Sequence, residues 1–274
     1  MTSMPDWLSV ERNDAPLIVS MPHTGTQIPA DLECSLVSRW LARKDTDWWV
    51  DQLYDFALDL GATVVRTTIS RSVIDVNRDP SGRSLYPGQN TTGLCPITSF
   101  DGETLYKPDR EPDAAEIARR CHVFFEPYHR ALQCEIERLT CKHRKVILFE
   151  AHSIRSRIPR LFEGELPHFN IGTNSGASCA GALSAAVAAV CSESTFTHVL
   201  NGRFKGGYTT RHYGQPPRGV HAIQLELAMR AYMDEPSSPS PENWPPAFHS
   251  SRAEPLRAVL RRILETCLGF VNQP

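Results

Sequence analysis

Two histidines close apolar runs in this chain: His23 ends "LIVSMPH" and His152 ends "KVILFEAH". Glu226 lies near the end of a third apolar run, "HAIQLEL", and Asp45 and Asp47 open the segment that leads into "WWVDQLYDFALDL". Two imidazoles and one carboxylate form the ligand set of a catalytic zinc, with the fourth position left to water. Such an ion acidifies water toward neutral pH, and a nearby carboxylate can take the proton. Glu226 has the placement of that base. Singly, each residue has an ordinary reading. A strand-end histidine is commonly structural, an aspartate before a helix is an N-cap, and a glutamate at a helix start suits the helix dipole. The signal is the conjunction, drawn from well-separated parts of the chain.

A second group is cationic. "SRSVIDVNRDP" places Arg71, Asp75, Asn77 and Arg78 together, and "FKGGYTTRHYG" holds Lys205, Arg211 and His212 beside a glycine pair. A guanidinium matches a carboxylate through two parallel hydrogen bonds, so an acidic substrate beside a metal would find its clamp here. The competing reading pairs Arg71 and Arg78 with Asp75 or Asp79 in a structural network, and takes Gly206–Gly207 as a turn.

These residues need strands that end at a common edge. Short apolar runs predict strands over 17–21, 63–67, 73–76, 146–149, 168–171, 197–200 and 222–225. Several are continuously apolar, as strands covered on both faces are. Helical spacing predicts helices over 47–60, ending at Gly61, and over 112–140, through the small-residue stretch "SCAGALSAAVAAVC", and over 252–269. Trp48 and Trp49 read as packing residues, and His122 and His129 as surface or packing residues of the long helix. The alternation predicts a three-layer α/β/α fold around a mixed sheet, with the site at the carboxyl ends of its strands. A Pro- and Ser-rich stretch, 235–248, reads as a loop before the last helix.

Composition narrows the function. The 274 residues are 41% hydrophobic and 22% charged, with a formal net charge of -2. That suits one domain over 1–274, with its core about 16–235. No clustered basic face points to nucleic acid, and the short run from Arg155 to Arg160 is interleaved with Ile154, Ile158 and Pro159. No run has the length of a membrane span. The eight cysteines include no C-x-x-C pair, which argues against a cysteine zinc site. The first residues lack a secretory pattern, so the expected location is the cytoplasm, with reduced and mostly buried thiols. There a glycosylation acceptor such as "NTTG" at Asn90 has no meaning. No P-loop, dinucleotide fingerprint or G-x-S-x-G elbow is present.

The stretches "SMPHTGTQIP", "DTDWWVDQLYDFALDLGATVV", "SRSVIDVNRDP", "LYPGQNTTGLCP", "EAHSIRSRIPRLFEGELPHFNIGTNSGASC", "VLNGRFKGGYTTRHYG" and "GVHAIQLELAMRAYM" together resemble the N-formylglutamate deformylases, also called N-formylglutamate amidohydrolases. The resemblance spans roughly 16–235. It implies a zinc-carboxypeptidase-like fold and hydrolysis of N-formyl-L-glutamate, a small acidic substrate, to formate and L-glutamate, the last step of a histidine-degradation route. Carried over residue by residue, it implies His23, Asp47 and His152 as ligands of a divalent metal, zinc foremost, with Glu226 as base. Arg71 or His212 would then face the developing oxyanion, and Asn77, Arg78 and Arg211 the substrate carboxylates. One position departs from the family: Glu150 stands where the family pattern leads one to expect an aspartate, which leaves open how it would reach His152. Two alternatives are a metal-dependent amidohydrolase acting on another N-acyl acidic amino acid, and a binding protein that kept the fold without catalysis.

Overall fold

A computed structural model describes residues 4–272. Its seven strands are β1 (Leu8–Glu11), β2 (Leu17–Met21), β3 (Thr63–Thr67), β4 (Val146–Ile154), β5 (Phe169–Gly172), β6 (His198–Leu200) and β7 (Val220–Ala228). They form one sheet in the order β1-β3-β2-β4-β7-β5-β6. The central strands β3, β2, β4 and β7 run parallel, whereas β1 is antiparallel to β3 and β5 to β7. The mixed sheet is therefore parallel where it is deepest, and β2, β4 and β7 are buried along their whole length.

The helices are α1 (Ala30–Glu33), α2 (Val50–Leu53), α3 (Ala114–Arg120), α4 (Glu126–Thr140), α5 (Gly181–Ser192), α6 (Tyr208–Tyr213) and α7 (Ser250–Val271). Successive strand residues point to opposite faces and so build two cores. Leu17, Val19, Ile147 and Phe149 pack with Leu183 and Val187 of α5 and Leu260 and Ile263 of α7. Ile18, Leu148 and Ala222 pack with Leu132 and Ile136 of α4 on the other side. This is the three-layer arrangement expected from the alternating pattern.

Four expectations change. The segment 73–76 is no strand: Val73, Ile74 and Val76 are buried, but in tight turns. Its buried carbonyls are satisfied by side chains, Val73 O by Arg120 Nη1 at 3.0 Å and Val76 O by His129 Nε2 at 2.7 Å. The helix predicted over 47–60 is broken into α2 and a 3-10 turn at Asp55–Ala57, with Trp49 in the left-handed region at φ 65°. The long helix over 112–140 carries a π turn at Cys121–Phe125 between α3 and α4. The short strand β1 escaped the apolar-run criterion because only Leu8 of its four residues is buried. All eight cysteines are free thiols, and four of them are buried, fewer than expected. The stretch 235–248 is a loop fastened by tryptophans: Trp244 Nε1 donates to Lys44 O at 2.8 Å and Trp49 Nε1 to Pro246 O at 3.0 Å. Among the described residues no helix is long and apolar enough to cross a membrane.

Candidate active site

Parallel strands place their carboxyl ends at one edge, and the polar residues gather there. The chain leaves β2 at Met21 and turns at Pro22, bringing His23 to that edge. Asp47 is held beside it by a backbone bond from its own N–H to His23 O at 3.0 Å. On β4 and β7, His152 stands opposite Glu226 and Glu150 opposite Gln224 in the parallel register. The strand period of two puts these four side chains on one face of the sheet.

His23, Asp47 and His152 are buried, and one ligand atom from each lies within 4.8 Å of the others. Asp47 Oδ2 is 2.9 Å from His152 Nδ1 and 3.6 Å from His23 Nδ1. The outer nitrogens of both rings are already held. His23 Nε2 donates to Asp75 Oδ1 at 2.7 Å. His152 Nε2 lies 3.3 Å from Glu150 Oε1 and 3.1 Å from Asn77 Nδ2. Outer acceptors such as Asp75 and Glu150 orient metal-ligating imidazoles. His23 Nδ1 is buried without a hydrogen-bond partner, an arrangement rare for a polar atom and expected of a ligand atom. The donor set fits a divalent cation held by two nitrogens and a carboxylate oxygen. Glu150 reaches the ring despite its extra methylene, and its other oxygen accepts from Thr210 Oγ1 at 2.6 Å.

The electrostatics follow from burial and pairing. Burial opposes ionisation of Asp47, but the charge of His23 and the hydrogen bond from His152 outweigh it and hold the carboxyl below its usual range. Burial likewise opposes charge on His152, yet hydrogen bonds to Asp47 and Glu150 raise its pKa well above the ordinary value. Asp75 stays ionised against burial because Arg78, His23 and Arg71 surround it. Glu226 has no ion-pair partner among the described residues: burial pushes it up to about 7, and the opposing pulls of His152 and Arg71 are smaller.

These groups line a cleft that encloses about 540 Å³ of empty space, open solvent at its mouth included. His23, His152, Glu226, Arg71, Asn77 and Arg78 all face it. Arg71 is salt-bridged to Asp75 at 2.7 Å and lies 3.4 Å from Asp47, and Arg78 lies 3.7 Å from Asp75. The pairing of both arginines with Asp75 is the structural network read from the sequence as the competing possibility. Asn77 does not present a free amide, since its Oδ1 accepts from Thr209 N at 2.9 Å while its Nδ2 meets His152. Asp45 stands apart from the cluster, accepting the Phe100 amide at 2.6 Å.

Arg211 and His212 are not among the residues that line the cleft. Arg211 stacks on Tyr86, 5.2 Å from the ring centre, and His212 is exposed and stacked on Tyr208 at 4.9 Å. In their place the cleft receives Arg203 from the same stretch of chain. No spacing pattern marked it.

The family model for N-formylglutamate amidohydrolase matches residues 15–233. The chain is 47% identical over 268 residues to the N-formylglutamate deformylase of Pseudomonas aeruginosa, covering 97% of this chain and 98% of that one. It is 45% identical over 264 residues to the N-formylglutamate deformylase of Pseudomonas putida, covering 96% of each. The crystal structure of an N-formylglutamate amidohydrolase from Ralstonia eutropha shares the fold at a TM-score of 0.75 and 24% identity, over 96% of this chain and 99% of that one. A gene product of Agrobacterium tumefaciens does so at 0.73 and 18%, over 98% of each chain. The chain belongs to the N-formylglutamate amidohydrolase family.

Proposed function

We propose that this protein hydrolyses N-formyl-L-glutamate to formate and L-glutamate, using a divalent metal held by His23, Asp47 and His152 and Glu226 as general base. The substrate reading rests on the two relatives of 47% and 45% identity that carry the deformylase name over nearly their whole length. The observation that carries the metal reading is the buried, unpartnered Nδ1 of His23, turned toward Asp47 and His152 while the outer nitrogen of each ring is held. An ion held by these three residues, with zinc the expectation from this ligand set, would supply Lewis acidity that acidifies water and polarises a carbonyl oxygen.

The chain's own residues do the rest. Glu226, desolvated and with a pKa near neutrality, takes the proton from the attacking water and returns it to the departing amide nitrogen. Asp75 and Glu150 accept from the outer nitrogens of the two imidazole rings, so the ligand geometry is set before substrate arrives. Arg71, on the cleft wall and within reach of Asp47, faces the charge that develops on the formyl oxygen. Arg78 receives a substrate carboxylate. The reaction takes the place that the resemblance implies, at the end of a histidine-degradation route.

Formate release from N-formyl-L-glutamate tests this directly. Turnover should vanish with chelator and return with zinc. Turnover that survives complete metal removal overturns the metal assignment. Turnover of other N-acyl acidic amino acids but not of the formyl compound moves the substrate to the neighbouring reading.

A further inference from the structure

Three arginines line the cleft, and they differ in what neutralises them. Arg71 and Arg78 share Asp75. Arg203 has no carboxylate within ion-pair distance among the described residues. Its Nε donates to Leu161 O at 2.9 Å and its Nη2 to Asn90 O at 3.0 Å, both neutral acceptors. Its Nη1 makes no hydrogen bond among the described residues. The guanidinium is held between two rings, 5.3 Å from the centre of Tyr86 and 5.2 Å from that of Phe204. Tyr86 is itself braced by a hydrogen bond to Gly206 O at 3.0 Å and by Arg211 on its ring. A cation fixed this firmly, without a counter-ion, is preorganised for an anion from outside. Burial and the repulsion of Arg78 act against its charge and outweigh the favourable pull of Tyr86 and of Glu226, which lies beyond ion-pair distance.

We propose that Arg203 is the specificity-determining residue that receives the side-chain carboxylate of the substrate, while Arg78 receives the α-carboxylate. This rests on the reading of the substrate as an N-acyl dicarboxylate. The division follows from position. Arg78 touches Asn77 O and lies near Asp75, which accepts from the His23 ring, while the Asn77 amide lies 3.1 Å from His152 Nε2. The α-carboxylate is next to the carbon that bears the scissile amide and belongs near that centre. Arg203 is anchored to Leu161, Asn90 and Phe204, none of which hydrogen-bonds to His23, Asp47 or His152 among the described residues, and the side-chain carboxylate is two methylenes farther out. Arg211 then acts as a positioning residue that holds Tyr86 against Arg203.

The test compares N-formylglutamate with N-formylglutamine, which differ only in that carboxylate, on the zinc-loaded enzyme and its R203M and R203Q variants. The Gln side chain keeps a donor for the carbonyls and guards against a folding failure of the first variant. The expected result is a fall of roughly 10²-fold in kcat/KM for N-formylglutamate, mostly in KM, with little change for N-formylglutamine. The preference for the acid should collapse while zinc content and melting temperature hold. An equal loss on both substrates makes Arg203 structural and overturns the proposal, as does an unchanged preference. The same ratio is read without turnover from the binding of glutarate and of its monoamide. If wild type hydrolyses neither formyl compound, the substrate reading fails, while a glutarate preference that R203Q abolishes still upholds Arg203.

Discussion

Glu226 stands on a strand whose every residue is buried, without an ion-pair partner among the described residues. Its pKa, pushed by burial to about 7, makes it a base suited to neutral pH and also a liability to the fold. The native state binds its proton more tightly than the unfolded chain does, where the group titrates near 4.5. Between those values the native state holds more protons, so stability falls as pH rises. The penalty is absent below about 4.5 and complete above 7, where it amounts to roughly 3 kcal/mol or slightly more in metal-free protein. E226Q should therefore lose ~10²-fold or more in turnover and yet, stripped of metal, melt higher than wild type at pH 8 and equally at pH 4. Near-normal turnover would sink the assignment as base, and a lower melting point at pH 8 would sink the burial argument. At this scale the sequence was informative where a residue type sits at a strand end, as His23 and His152 do. It could not separate Asp47 from Asp45, because the difference is what each one meets: two imidazoles in one case, the Phe100 amide and Arg155 in the other. Arg203 was illegible for a deeper reason, since its signal is the lack of a carboxylate partner, which only the folded chain defines.

Elements that follow one periodicity throughout were readable, and those whose backbone is claimed from outside were not. The apolar stripe of α4 and the continuous apolar runs of β2 and β4 leave one solution each. The stretch 47–60 has helical spacing, but Trp48 O accepts from Tyr232 and the Asp47 amide is tied to His23, so the helix cannot start until Val50. The start of α6 shows how such constraints reach the site. Gly207 precedes it, and a Cβ there would lie 2.3 Å from Asn77 Nδ2. The backbone at Gly207 is extended, so the demand is for space and not for glycine's freedom. G207A should drive the Asn77 amide against the His152 ring and weaken zinc affinity by about 10–100-fold, the range for disturbing the surroundings of a ligand. Competition with a zinc-responsive chelator reads this directly. Wild-type affinity in G207A would show that the packing of Asn77 does not constrain His152.

Across the whole molecule the site joins parts far apart in sequence. His23 follows β2, Asp47 sits before the broken helix, and His152 lies on β4, so a bound metal ties three segments to the centre of the sheet. The unfolded chain has no such preformed set, and the binding free energy therefore adds to the stability of the fold. At a free zinc concentration 100 times the dissociation constant the gain is about 2.7 kcal/mol. In a chain of this size that raises the melting temperature by about 5 °C or more. The increment should grow with the logarithm of zinc concentration and disappear with chelator. D47N should abolish it, because an amide oxygen is a weaker ligand than a carboxylate and the ion loses charge compensation. D45N should keep it, since an amide oxygen at that position still accepts the Phe100 N–H. Equal shifts in D47N and wild type would remove Asp47 from the ligand set, and a shift lost in D45N would bring Asp45 into it. The readout is thermal melting rather than turnover, so it decides the metal centre whatever acyl-amino acid the cleft receives.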